Sequence, residues 1–106
     1  MKKILVTGCN GQLGRAINQE YGNEAEFINT DVQAGDGAIA LDITKVEDVL
    51  ALVRETKPDV IINCAAHTAV DLCEQQWDSA YRINAIGPRN LSIAASEVDA
   101  KLIHVS

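Results

Sequence analysis

No apolar run in these 106 residues approaches the ~20 needed to cross a bilayer, so a membrane span is not expected. The basic start Met1-Lys2-Lys3 leads into Ile4-Leu5-Val6, far too short for the apolar core of a signal peptide, and export is not expected either. Cysteine is scarce: Cys9, Cys64 and Cys73 are odd in number and show no paired C-x-x-C spacing. Neither a disulfide framework nor a zinc knuckle is supported, and a reducing cytoplasm fits best. Basic charge is short as well. Nine Lys and Arg stand against fifteen Asp and Glu, a formal net charge of -6, so the basic stripe that a nucleic-acid partner needs is missing. A nucleotide cofactor is not excluded, because neutral backbone N–H groups and a helix dipole can hold a pyrophosphate. Repeats, linkers and low-complexity tracts are absent too, which leaves one domain of ordinary apolar content, 47 %, with length enough for a single core.

What is present is an alternation of short apolar runs and helical periodicity. Residues 3–7 read as a strand that opens into Thr7-Gly8-Cys9-Asn10-Gly11-Gln12-Leu13-Gly14. Residues 12–20 then read as a helix through Leu13, Ala16 and Ile17, stopped by Gly22-Asn23. A second strand is expected over 26–30, ending at Asp31, followed by a loop at 32–37 and a short third strand at 38–41. Thr44 reads as an N-cap with Glu47 at capping-box spacing. The helix behind it places Val46, Val49, Leu50 and Val53 on one face, and Lys57-Pro58 stops it. Residues 60–63 form a fourth strand whose continuous apolar character suggests burial on both faces. A mostly helical stretch to about Val98, bent near Gly87-Pro88, leads to a fifth strand at 102–105. The order predicts an α/β fold, a Rossmann-like doubly wound parallel sheet. Such sheets usually carry a sixth strand, so the expectation is an N-terminal portion truncated after the fifth.

The glycine turn is the first candidate site. Strand, turn and helix follow one another as dinucleotide binding requires: Gly8 for the tight turn, Gly11 for close approach of a pyrophosphate, Gly14 for close helix–strand packing. Asn10, Gln12 and Leu13 complete that cradle. Asp31 follows Gly14 at close to the ~20-residue spacing of a ribose-binding acid. A carboxylate there would accept from both adenosine-ribose hydroxyls and repel a 2′-phosphate. Lys and Arg are missing between Glu24 and Ile43, and Asn10 is not basic, so NAD(H) is favoured over NADP(H). Asp42 is either an acceptor for the adenine amino group, with Ile43 packed on the ring, or a helix-entry acid. Cys64, Ala65 and Ala66 end the fourth strand at the expected switch point, where small residues admit a ribose, and Thr68 would bond a cofactor oxygen. His67 reads as a structural donor more than as a catalyst. Pro88 deprives the Asn84 carbonyl of its helical partner, which either frees it for an ordered water or is a tolerated kink.

In this order the motifs resemble the extended short-chain dehydrogenase/reductase family over the whole chain. Gly8–Gly14, Pro58-Asp59-Val60-Ile61-Ile62-Asn63, Ala65-Ala66-His67-Thr68-Ala69-Val70-Asp71 and Asn84-Ala85-Ile86-Gly87-Pro88-Arg89-Asn90-Leu91 are similar to the dTDP-4-dehydrorhamnose reductase family within it. The resemblance implies an NADH- or NADPH-dependent oxidoreductase of nucleotide-sugar biosynthesis, reducing the C4 keto group of a dTDP-linked 6-deoxyhexose. It also implies that Ala65, Ala66 and Thr68 line the cofactor, that Val70 approaches the dTDP-sugar, and that Asn84 supports a proton-relay water. Ser106 would stand just before the catalytic Thr or Ser. Mg²⁺ occurs in the family, but local residues do not support a site; Asp71 and Glu74 are the acids to watch. A homodimer of the full-length protein is compatible with the resemblance.

The family's Tyr-x-x-x-Lys pair is missing: Tyr21 is followed four residues on by Ala25, and Tyr81 by Ala85. That tyrosine would protonate the developing alkoxide. Residues 1–106 are therefore expected to form the NAD(P)-binding domain and to be inactive alone. The alternatives are an epimerase or dehydratase of the same fold, a complete small nucleotide-binding module, or a non-catalytic protein resembling the regulatory subunit of methionine adenosyltransferase.

Overall fold

The computed structural model of the chain describes residues 1–35, 37–64 and 85–105. Strand β1 (Lys3–Thr7) leads through the glycine turn into helix α1 (Gln12–Tyr21). Strand β2 (Glu26–Asp31), the short β3 (Ile39–Ala40) and helix α2 (Val46–Thr56) come next. Strand β4 (Val60–Asn63), helix α3 (Gly87–Val98) and strand β5 (Lys101–His104) complete the order. The strands lie side by side as β3-β2-β1-β4-β5, and every pairing between them is parallel. The chain winds outward from β1 through β2 to β3 and then returns to β1's other side for β4 and β5. That reversal is the doubly wound, Rossmann-like arrangement, with its switch point between β1 and β4.

Alternation of side chains along the strands sorts the core into two faces. Leu5, Ile28, Ile61 and Leu102 line one face, against Val49 and Val53 of α2 and Leu91, Ala94 and Ala95 of α3. Ile4, Val6 and Phe27 line the other, together with Cys9, Ala38 and Cys64. Helix α1 crosses this second face. Its Asn18 exchanges two amide hydrogen bonds with Asn29 of β2, at 2.8 and 2.9 Å, and Asn29 is the register partner of Val6. In β4, Ile61 and Asn63 are buried while Val60 and Ile62 are half-buried, so burial is complete only toward α2 and α3.

Several boundaries differ from the sequence expectation, each for a local reason. The buried residue of α1 is Gly14, with Ile17 and Asn18 half-buried beside it; Leu13, 42 % exposed, and Ala16 face away from the sheet. Close approach at Gly14 rotates the helix onto that face. Strand β3 is shorter than 38–41 because Ala38 is bridged back to Gly35, its N–H donating to the Gly35 carbonyl at 2.8 Å. Thr44 does not cap α2. Its hydroxyl and its N–H both go to Asp42 Oδ1, at 2.7 and 3.0 Å, and Lys45 occupies the cap position without a side-chain bond. Strand β5 starts one residue earlier than 102, because the Lys101 N–H reaches the Asp59 carbonyl at 3.0 Å and sets the register Val60↔Lys101.

Helix ends follow ordinary chemistry. Glu47 and Asp48 lie in the first turn of α2 and Arg54 in its last, each favourable to the helix dipole. Both α2 and α3 end on a left-handed residue, Lys57 (φ 46) and Asp99 (φ 59). Pro88 stands in the first turn of α3. Just before it, Ala85 and Ile86 wind more widely, as a π-type turn. The expected role of Asn84 in a bend lies outside the described residues.

Candidate functional site

The carboxyl ends of β1, β2 and β4 converge on the glycine turn. Gly8 has φ 69, a left-handed conformation that an L side chain rarely adopts, and its carbonyl accepts from the Gly11 N–H at 3.1 Å. The turn is tied to β2 by the Cys9 N–H, which donates to the Thr30 carbonyl at 3.0 Å. Helix α1 begins at Gly11, where the cap carries no side-chain bond. The first-turn N–H groups of such a helix point outward and favour an anion. A Cβ on Gly14 would meet Cys9 Cα at 2.6 Å and the Gly8 carbonyl oxygen at 2.7 Å; one on Gly11 would meet that same oxygen at 3.3 Å. Only glycine lets α1 lie this close over the end of β1. The cradle has the shape and dipole that a pyrophosphate needs.

Asp31 is joined to this cradle. Its Oδ2 accepts from the Asn10 N–H at 3.0 Å and its Oδ1 from the Val32 N–H at 2.7 Å. A carboxylate offers about four acceptor positions, so two bonds leave capacity for hydroxyl donors. On the other side of Asn10, Arg15 Nε donates to the Asn10 carbonyl at 2.8 Å. The first turn of α1 folds back over the glycine turn and brings Arg15 beside the peptide that Asp31 holds.

Asp42 and Ile43 lie at the end of the β3 side. Asp42 Oδ1 organises the turn into α2 through Thr44, as a helix-entry acid does. The Ile43 side chain is 4 % exposed. A Cβ on Gly87 would strike it, and Asn90 Nδ2 donates to the Ile43 carbonyl at 2.9 Å. The Ile43 side chain thus packs toward the start of α3. Cys64 ends β4, its N–H on the Thr7 carbonyl at 3.0 Å. Burial, and secondarily the neighbouring Cys9, raise its thiol pKa above the usual 9.0. Cys64 is thus a neutral apolar wall at pH 7 and not an activated nucleophile. Among the described residues no His, Cys, Asp and Glu cluster could hold a metal ion, and no helix is long and apolar enough to cross a membrane.

Polar residues at or next to the carboxyl ends of four strands fall in one register row: Thr30, Thr7, Asn63 and His104. The Thr7 hydroxyl donates to Asn63 Oδ1 at 2.6 Å, Asn63 Nδ2 meets His104 Nδ1 at 3.3 Å, and the Thr30 hydroxyl donates to the Val6 carbonyl at 2.8 Å. Thr7, Thr30 and Asn63 are buried, so the row locks strand ends beneath the glycine turn. Its sequence signal was the hydrogen-bonding residue closing each apolar run. Ala65, Ala66, His67, Thr68, Val70, Asp71, Glu74, Asn84 and Ser106 lie outside the described residues.

Residues 1–106 match the RmlD substrate binding domain family throughout. The chain belongs to that family. A dTDP-4-dehydrorhamnose reductase of Aggregatibacter actinomycetemcomitans is 38 % identical over 106 residues, 100 % of this chain and 35 % of its own length. The crystal structure of such a reductase from Clostridium acetobutylicum superposes with a TM-score of 0.84 at 56 % identity, covering 94 % of this chain and 34 % of that one. The enzyme of the same name from Bacillus anthracis, solved in complex with NADP, gives a TM-score of 0.84 at 41 % identity, over 95 % of this chain and 34 % of that one. The chain thus spans about a third of the length of these RmlD-family relatives.

Proposed function

We propose that residues 1–106 are the cofactor-holding part of a dTDP-4-dehydrorhamnose reductase, the enzyme that converts dTDP-4-dehydro-L-rhamnose to dTDP-L-rhamnose. The observation that carries this reading is the glycine turn with the Asp31 carboxylate bonded into it, in a chain that matches the family from end to end. The relatives' names and the NADP complex of one of them support the same reading. When bound, a reduced nicotinamide supplies the hydride for the C4 carbonyl.

The chain's own residues do the holding. Gly8, Gly11 and Gly14, with Asn10, Gln12 and Leu13, bring backbone and the α1 N-terminus against the pyrophosphate. Asp31 accepts from the adenosine-ribose hydroxyls, which favours NAD(H). Asp42 faces the adenine, and Cys64, Ala65, Ala66 and Thr68 line the nicotinamide side. Val70 approaches the sugar, and Asn84 supports the relay water. The acid that protonates the alkoxide belongs to the part of the enzyme outside these 106 residues, since no Tyr-x-x-x-Lys occurs in them. A reducing, cytoplasmic setting fits the odd number of cysteines and their lack of C-x-x-C spacing.

Oxidation of NADH by the full-length protein in the presence of dTDP-4-dehydro-L-rhamnose tests the proposal. Turnover that is lost when residues 1–106 are assayed alone supports it. A full-length protein that binds a nicotinamide cofactor yet never exchanges it, and epimerises or dehydrates a nucleotide sugar instead, contradicts it.

A further inference from the structure

Helix α3 starts by gripping one residue of the turn between β3 and α2. Asn90 Nδ2 donates to the Ile43 carbonyl at 2.9 Å. Gly87, one turn earlier, admits the Ile43 side chain at a point where a Cβ would meet its Cγ1 at 2.7 Å. Asn90 is 5 % exposed and Ile43 4 %, so neither the amide nor the carbonyl it serves can turn to water instead. The same turn hangs from β2 through the Leu41 N–H, which donates to the Asp31 carbonyl at 2.7 Å. The Thr44 and Lys45 N–H groups fold back onto Asp42, at 3.0 and 3.1 Å. The Ile43 N–H has no partner among the described residues. Buried main-chain donors are rarely left in that state, and an acceptor on a ligand completes this one.

We infer that Asn90 is a positioning residue for the adenine end of the cofactor, acting through Ile43. The inference rests on the cofactor reading above, in which Asp42 faces the adenine, and deepens it. Adenine carries ring nitrogens that accept beside an amino group that donates. A carboxylate at 42 and a main-chain N–H at 43 complement that edge when residue 43 keeps its orientation. Asn90 fixes the carbonyl of residue 43 and Gly87 fixes its side chain, and together they set the direction of its N–H. Asn90 touches no cofactor atom in this role; it holds the residue that does.

The test compares the full-length wild type with Asn90→Leu, close in size but without a donor, and with Gly87→Ala. The second variant displaces Ile43 through its side chain and leaves the Asn90 amide in place. Binding of ADP-ribose, which carries the adenine end without the nicotinamide, is followed by calorimetry. KM for NADH, KM for dTDP-4-dehydro-L-rhamnose, kcat and Tm are measured alongside. Both variants are expected to bind ADP-ribose about tenfold more weakly, as loss of a buried hydrogen bond's geometry implies, and to raise KM for NADH by a similar factor. Meanwhile kcat and the KM for the sugar stay within about twofold of wild type, the pattern of lost binding away from the reacting atoms. Unchanged ADP-ribose affinity in Asn90→Leu overturns the inference. A fall in kcat and Tm with KM for NADH unchanged also overturns it, since Asn90 would then only hold the fold. Should Asn90→Leu fail to fold, Gly87→Ala decides by the same readouts. If neither ADP-ribose nor NADH binds wild type, the cofactor reading itself fails.

Discussion

Gly14 has no room for a side chain. Its missing Cβ would stand 2.6 Å from Cys9 Cα, a backbone atom that cannot swing away. Gly14→Ala is expected to cost about 1–3 kcal/mol, the range for overpacking, in a urea titration. The same change at Gly37 meets nothing within 4 Å and strains only its φ of 83, so it should cost less. Cys64 leads to a pH prediction. Its folded pKa lies above 9.0, chiefly from burial, so above that pH the unfolded chain loses a proton that the folded chain keeps. Stability then falls as pH rises. Urea unfolding at pH 8 and pH 10 should show a smaller drop for Cys64→Ala than for wild type; equal drops would contradict the assignment. Sequence spacing alone made Gly8, Gly11, Gly14 and Asp31 legible, because each answers to a backbone constraint of a strand–turn–helix unit. Arg15 was not legible in that way, since its meeting with Asn10 depends on how α1 rotates onto the sheet.

Element ends can be tuned without touching the site. Lys57 caps α2 in the left-handed region at φ 46, its N–H donating to the Val53 carbonyl at 2.8 Å. Lys57→Gly is expected to stabilise the protein by about 0.5–1 kcal/mol, by removing the Cβ penalty at a helix C-terminus. The gain at Asp99 should be smaller, since Asp tolerates that conformation better. Between α2 and α3, Arg54 and Glu97 pair at 2.9 Å with both side chains well exposed, so Arg54→Ala should cost under about 1 kcal/mol. Leu91→Ala, in the fully buried layer beneath, should cost about 2–5 kcal/mol. Chemical denaturation of the two variants orders them. Strands β1 and β4 are readable because their apolar runs are buried or half-buried within the sheet. Thr44 does not cap α2 as its spacing from Glu47 suggests, because Asp42, two residues earlier, takes the same hydroxyl.

At the scale of the whole molecule, the order β3-β2-β1-β4-β5 brings the ends of β1 and β4 to the switch point and carries β2's Asp31 to the glycine turn. The alternation of runs along the chain predicts that topology, since a parallel sheet needs a crossover between paired strands. It does not predict the polar row from Thr30 to His104, which exists only once the register is set. Nor does it supply a proton donor, and residues 1–106 alone are expected to show no turnover of a dTDP-4-keto sugar. An NADH titration of the full-length protein, followed by backbone amide NMR, tests cofactor binding at the glycine turn most directly. The largest shifts are expected at Cys9 through Leu13 and at Asp31 and Val32, saturating together. Shifts confined to other parts of the protein, or none at all, would contradict it.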